Sequence, residues 1–420
     1  MKVLGIVAEY NPFHNGHLYH VRTARELSGA DCIVAVMSGN YTQRGEPAIV
    51  DKWARTEMAL LCGIDLVIEL PVAYAMASAE FFAYGAVRLL DSLGVVNALC
   101  FGSESGDLEK LAEAASILLE EPDEYKNELK ALLNSGKSFP SARQSALSAY
   151  LKSKLGNDNI SETLRTPNNI LGIEYIKALK RLGSNIVPMT VGRIGNDYNQ
   201  GELSGEISSA TSIRNTIADN PWNVASSLLA PALPASSLDI LERELALGRG
   251  PVFPSDFGTT LLSLLRKMTA DEIRALPYME DGLENRIALA ARKSGSFDEL
   301  LNSICTRRYT ATRIQRILFS VLTGLTGNMF DSFNKMGGPA YIRVLGFNHT
   351  GRKLLSKIRK KAALPVIIKT AGRKKSDLPG VSDMLALEAG ATDQYVLGFK
   401  NPHMRVSGSE FTRNVIYLSE

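Results

Sequence analysis

Cysteine is scarce in this chain: four in 420 residues, Cys32, Cys62, Cys100 and Cys305. They lie far apart with no paired ligand spacing, which argues against a zinc site or a disulfide framework and for buried free thiols. An uncharged apolar run of about 18 residues is also missing, so no transmembrane helix is expected. The chain passes from Met1-Lys2 directly into an apolar strand and then Glu9, without the charged, apolar and small-residue regions of a signal peptide. The expectation is a cytoplasmic protein. Net charge is only +3, and no internal repeat or low-complexity tract is found. Histidine is nearly as rare as cysteine, with five residues, yet His14, His17 and His20 fall within one stretch of seven.

What is present is an ordinary apolar fraction, 45%, spread over a length that suits two or three domains. Residues 2 to 103 alternate short apolar runs with helical patterns. Val3–Val7, Cys32–Met37, Leu66–Leu70 and Ala98–Phe101 have the character of buried parallel strands. His17–Ser28, Asp51–Cys62 and Ala79–Leu93 have helical periodicity, and Asp51 can cap the second. Repeated β-α units predict an α/β fold with a Rossmann-like parallel sheet, whose ligands bind beyond the carboxyl ends of the strands. Residues 107–183 are expected to be mostly helical, followed by a strand at Asn185–Val191, a polar loop at Asn196–Glu206, and a helix from about Ala210 capped by Ser208 or Ser209. Segments 230–236 and 248–256 look like linkers. A helical bundle is expected from Thr259 to Gly324, and a small strand–helix–strand part after Gly338. These features divide the chain into an α/β region, 1–235, and a helical plus small α/β region, 236–420.

The stretch Val7–His20, VAEYNPFHNGHLYH, carries the sharpest chemistry. A strand that ends in an Asn/Gly/Pro turn and opens a helix points backbone N–H groups and a helix N-terminus at a phosphate. His14-Asn15-Gly16-His17 fits His-x-Gly-His: Gly16 gives the backbone close approach, and the two imidazoles can donate to phosphate oxygens as negative charge shifts. The alternative is a pair of polar-turn histidines without a role. A zinc reading of His14, His17 and His20 lacks a fourth ligand nearby.

This pattern resembles the nucleotidyltransferase superfamily that shares its fold with class I aminoacyl-tRNA synthetases. Such enzymes carry a second motif of Ser-Ser/Ala-Thr-x-x-Arg type, matched here by Ser209-Ala210-Thr211-Ser212-Ile213-Arg214. Taken alone, that segment is equally an ordinary N-cap. The longer Val7–His20 string, Gly39–Ala48, Glu69-Leu70-Pro71, Phe101–Glu104 and Pro167–Leu171 resemble one bacterial family, the tRNA(Met) cytidine acetate ligases. The resemblance implies ATP-dependent N4-acetylation of the wobble cytidine of elongator tRNA(Met), with acetate activated as acetyl-adenylate. It implies catalytic roles for His14 and His17. It implies ATP contacts along Val7, Ala8, Glu9, Tyr10, Asn11, Pro12, Phe13, His14, Asn15, Gly16, His17, Leu18, Tyr19 and His20. Further ATP contacts are implied at Gly102, Asn168, Arg193, Ser209, Thr211 and Arg214. A helix N-cap is the bland reading of Asn168 and a surface charge that of Arg193. Mg²⁺ is expected to accompany ATP, with no dedicated protein ligand set and no resident metal.

Basic charge is concentrated late. Lys353, Lys357 and Lys361 share a helical face, with Arg352 and Lys360 beside it; Arg373, Lys374 and Lys375 follow. With Arg307, Arg308, Arg313 and Arg316 they are candidates for a tRNA surface, weighed against a merely solvated face. Tyr309 and Phe347 could stack on a base or pack in a core. Arg44 could meet an anion or be solvated. No membrane association and no obligate protein partner are expected. Two rivals stand beside the ligase: a small-molecule adenylyltransferase, which needs no basic second half, and a non-catalytic RNA-binding protein, which needs no intact His14, Gly16, His17 and Arg214.

Overall fold

The computed structural model describes residues 1–137, 139–155, 166–193, 203, 205–371 and 378–419. Arg373, Lys374, Lys375 and most of the 196–206 loop lie outside the described residues.

Apolar runs without alternation form the centre of the sheet, because helices cover both of its faces. Strand β1 (Val3–Ala8) pairs in parallel with β2 (Cys32–Ser38) and with β4 (Ala98–Ser103). β2 pairs with β3 (Leu66–Leu70), and β4 with β5 (Val187–Gly192), both in parallel. Two buried clusters flank this layer. Val34, Val36 and Leu99 point into one, and Leu4, Ile6 and Ile33 into the other. Each such side chain removed from water stabilises the fold by roughly 1.5–3 kcal/mol before ordering costs. The expected α/β class with a parallel N-terminal sheet is what the chain adopts.

The late strands do not make a sheet of their own. β6 (Ile342–Asn348) lies antiparallel to β3, with Glu69 opposite Arg343, and β7 (Val366–Ile367) and β8 (Ile416–Leu418) both pair with β6. The order across the sheet is β5-β4-β1-β2-β3-β6-β7. Strand order reverses between β1 and β4, which opens a crevice at their carboxyl ends.

Five helices matter for the site: α1 (Asn15–Ser28), α2 (Lys52–Leu61), α3 (Pro167–Leu182), α4 (Ala210–Asp219) and α5 (Ala311–Thr323). α6 (His349–Lys361) and α7 (Val381–Tyr395) follow in the last part of the chain. α1 begins two residues before the periodicity suggests, because His14 itself serves as its N-cap. Segment 230–236 is not all linker: a helix starts at Ala235 behind Pro234. Cys32, Cys62 and Cys100 are buried, Cys305 is half-buried, and all four are free thiols. No helix among the described residues is long and apolar enough to cross a membrane.

Candidate functional site

β1 ends at Ala8, and the chain reverses at once. Tyr10 takes φ 49°, the Asn11–Pro12 peptide is cis, and the Asn11 side chain accepts the Ile49 N–H at 2.8 Å. Buried Arg55 on α2 fixes the turn by donating to the carbonyls of Glu9 at 2.6 Å and Ser38 at 3.1 Å, and to that of Gly39. Turn and neighbouring loop are therefore held by one guanidinium.

The two histidines cap their own helix. His14 Nδ1 accepts the Gly16 N–H at 3.1 Å, and His17 Nδ1 accepts the His14 N–H at 3.3 Å. Their rings stack at 3.7 Å, with Tyr10 edge-on to His17 at 5.0 Å. An imidazole that accepts at Nδ1 carries its proton on Nε2 when neutral. Neutrality is secured by the surroundings. Burial, then Arg193 and Arg214, lowers the His14 pKa to about 3; burial, then His14, holds His17 well below its usual value. Burial and then Arg193 lower His20 to about 4. His14 and His17 are thus neutral Nε2–H donors at ordinary pH. Gly16 has a more immediate task than admitting phosphate: a Cβ there would stand 2.9 Å from His14 Cε1. The glycine makes room for the capping imidazole.

Across the crevice, Ser209 caps α4, its Oγ accepting the Ser212 N–H at 3.0 Å. That satisfies one helix-start amide and leaves the first turn, Ala210 and Thr211, bordering the same cavity as the histidines. Arg214, one turn further on, donates to the Asn11 carbonyl at 2.9 Å and pairs with Glu46 at 3.3 Å. Beyond β5, the Arg193 N–H donates to the Ser103 carbonyl at 3.0 Å. Asn168 is not the N-cap of α3; Thr166 holds that position. Asn168 Nδ2 instead donates to Glu104 Oε1 at 2.7 Å, while Glu104 Oε2 accepts the Asn169 N–H at 2.9 Å. A carboxylate therefore already occupies the start of α3, where the helix dipole favours it.

Of the ATP-site residues singled out in the sequence, all border this one cavity except Pro12, Phe13, Asn15 and Leu18. Phe13 is core, and Leu18 packs against the same core. Asn15 faces away, donating to the carbonyls of Pro231 at 2.9 Å and Glu206 at 3.2 Å. Phe82, Phe101, Leu171 and Tyr175 supply an apolar wall; Phe101 and Leu171 fall in strings that carry the family resemblance, but the sequence singles out none of the four as a site residue. They sit on strand and helix faces in patterns identical to core packing, so no local signal separates them. Gln43 and Arg44 close the cavity from the 39–48 loop.

That loop is built from the far end of the chain. Gly45, at φ 72°, abuts the Arg316 backbone, and Arg316 Nη1 donates to the Gln43 carbonyl at 3.1 Å. The Tyr41 hydroxyl donates to the Ala391 carbonyl at 3.2 Å, and that of Tyr395 to the Ala48 carbonyl at 2.8 Å. Beneath the loop, Glu69, Glu388 and Glu410 bring carboxylate oxygens within 4.8 Å of one another. This is not an open metal cage. The Lys52 ammonium occupies it, 2.5 Å from Glu69 and 3.4 Å from Glu388, in contact with Glu410 as well.

The basic segments separate into two places. α6 runs along the amino-end edge of the sheet: Asn348 at its start donates to Asp65 ahead of β3, Lys357 bears on Asp31 ahead of β2, and Ala363 beyond its end donates to Ser92. Arg352, Lys353, Lys357, Lys360 and Lys361 are exposed there, about 20 Å of strand length from the crevice. Arg307 and Arg308 are exposed just ahead of α5, and Arg308 pairs with Glu280 at 2.7 Å. Arg313 and Arg316 turn inward, to Glu280 at 2.6 Å and to Gln43. Tyr309 is half-buried with Arg308 and Arg313 each 5.6 Å from its ring; Phe347 packs on Tyr417 at 5.3 Å.

A model of the HIGH Nucleotidyl Transferase family matches residues 1–410. A protein of Acetivibrio thermocellus named tRNA(Met) cytidine acetate ligase is 52% identical over 418 residues, with all of both chains covered. A protein of the same name from Caldanaerobacter subterraneus is 46% identical at the same coverage. Crystal structures of Thermotoga maritima TmcAL, apo and bound with alpha-thio ATP, superpose over both full chains with TM-scores of 0.95 and 0.93 at 42% identity.

Proposed function

The chain belongs to the tRNA(Met) cytidine acetate ligase family of HIGH nucleotidyl transferases, and on that premise we propose how its residues carry the reaction. It is an ATP-dependent ligase that modifies tRNA(Met). In the reading proposed here, the carboxylate of acetate attacks the α-phosphorus of ATP and expels pyrophosphate. Cytidine N4 then attacks the acetyl carbonyl of the resulting acetyl-adenylate and expels AMP.

The observation that carries the first step is the convergence on one crevice of His14, His17 and the start of α4. Nε2–H donors that stay neutral can strengthen their bonds to α-phosphate and pyrophosphate oxygens as charge moves onto them, without the cost of discharging an imidazolium. The open first turn of α4, together with Arg214 and Arg193, would hold the outgoing phosphates. Gly102 and Asn168 would border the adenosine, against the wall of Phe101 and Tyr175. Mg²⁺ would enter with the triphosphate as part of the substrate. For the RNA, Arg307 and Arg308, exposed just ahead of the helix whose Arg316 holds the 39–48 loop, would meet phosphates. The α6 cations would meet a more distant part of a molecule large enough to reach around the sheet.

Labelled acetate, ATP and bulk tRNA supplied to the protein test the whole reading. The expected product is labelled N4-acetylcytidine, formed only with ATP. Label in another nucleoside, or incorporation that does not need ATP, overturns it.

A further inference from the structure

Acetyl transfer to an amine releases a proton, and the site must take it up. Among the described residues that border the cavity, Glu9 is the one carboxylate. That is an anomaly in a crevice lined for a triphosphate and a second anion, since a fixed negative charge repels both. A site that only bound ATP would gain by replacing it.

The other candidates are already committed. His14 and His17 use Nδ1 to accept helix-start amides, so their Nε2 atoms hold protons and offer no lone pair to the cavity. His20 lies beside Arg193, which resists a second positive charge there. Tyr10 and Tyr175 are buried phenols held in the protonated form. Glu9 itself is fixed in place: Oε1 accepts the Gln43 N–H at 2.6 Å, and its own carbonyl is held by Arg55.

We propose that Glu9 is a catalytic residue of the second step, the base that accepts the N4 proton of cytidine as the acetyl group is transferred. This rests on the ligase reading above and names the proton's destination within it. The N4 lone pair forms the C–N bond, the acyl C–O bond breaks with its electron pair leaving on AMP, and the N4 proton passes to the Glu9 carboxylate and then to water. AMP leaves as a stable phosphate anion and needs no acid. The charges facing Glu9 are Arg44, Glu46 and Arg214 from the loop and α4, with Arg55 and Tyr175 from α2 and α3. Desolvation, first, and Glu46 raise its pKa above the usual carboxylate range, which brings its basicity nearer to that required at neutral pH.

The test separates the two steps in Glu9→Gln and Glu9→Asp. ATP–pyrophosphate exchange with acetate reads the first, and single-turnover transfer from preformed acetyl-adenylate to tRNA reads the second. Glu9→Gln should slow transfer by about 10²-fold or more beyond any change in exchange. Wild-type transfer should rise with pH through an inflection above the ordinary carboxylate range; Glu9→Asp should keep that rise at a lower rate, and Glu9→Gln should lose it. Transfer by Glu9→Gln at the wild-type rate, or equal losses in both steps, overturns the assignment. If Glu9→Gln does not fold, a wild-type transfer rate flat from about pH 5 to about pH 9 overturns it too. Absence of acetate-dependent exchange in the wild type would instead strike the ligase reading.

Discussion

Replacing Lys52 by Met tests how the two ends of the chain are joined. Lys52 is fully buried and sits among three carboxylates, with Arg343 3.9 Å from Glu410 as the second cation. Three acids against two cations leave one negative charge in excess. Burial, then Glu388, holds the Glu69 carboxyl well above its usual range, and Glu69 Oε2 has no hydrogen-bond partner. The resting cluster therefore suits one neutral carboxyl. Without Lys52 a second must stay protonated in the folded state, while the same group ionises near pH 4.3 in the unfolded chain. Holding that proton at pH 7 costs about 4 kcal/mol, at about 1.4 kcal/mol per pH unit. Breaking a buried ion pair generally costs about 3–5 kcal/mol. The sign follows from linkage: a carboxyl whose folded pKa is raised binds more protons in the folded state, so stability falls as pH rises above the unfolded value. Urea unfolding at two pH values measures this. Lys52→Met should trail the wild type by about 1 kcal/mol near pH 5 and by about 4 kcal/mol near pH 7. An equal deficit at both values, or none, refutes the account of the cluster.

Gly16→Ala should leave unfolding little changed, because alanine favours the helix, yet lower ATP–pyrophosphate exchange by about 10²-fold by displacing the His14 ring. His14→Ala and His17→Ala should each cut exchange by about 10²–10³-fold with the fold intact, read by circular dichroism alongside exchange. Because burial lowers both histidines' pKa values, wild-type exchange should show no histidine limb between about pH 6 and about pH 8; the neutral donors should fail only as pH falls toward the folded-state value, about 3 for His14. Neutralising Lys357, Lys360 and Lys361 together should weaken tRNA binding and flatten its salt dependence while sparing exchange; unchanged affinity at low salt would remove α6 from the tRNA surface.

The parallel half of the fold was legible because its signals are local. Val3–Ala8 is apolar at every position and Leu66–Leu70 at all but Glu69, and turn residues bound each run. That the His-x-Gly-His and Ser209–Arg214 segments would share a site was implied by the family resemblance, and both border the one cavity. What could not be read was anything set by pairing across the chain. Nothing in Ile342–Asn348 announces that it will lie antiparallel on β3, since an edge-covering strand and a strand of a separate small sheet look the same. Phe101 and Tyr175 resemble core because they are nearly core. Lys52 resembles a helix-start surface lysine; only the arrival of Glu388 and Glu410 makes it an interior charge. The basic run in α6 was plain, but not that it lies on the edge of the sheet opposite the crevice.

The clamp on the 39–48 loop also sets a schedule for synthesis. Tyr41 and the Ala391 carbonyl that it needs are 350 residues apart. At about 5–20 residues per second, a ribosome makes the histidine turn roughly 20–70 s before it makes the part that seats the loop beside it. Through most of that interval the outer edge of β3, LVIEL, is finished but unpaired, a strand apolar but for Glu69 waiting for β6. A nascent chain is thus most exposed to wrong pairing after its nucleotide-facing half has emerged, and protection of β3 at that stage would decide how much of the protein matures.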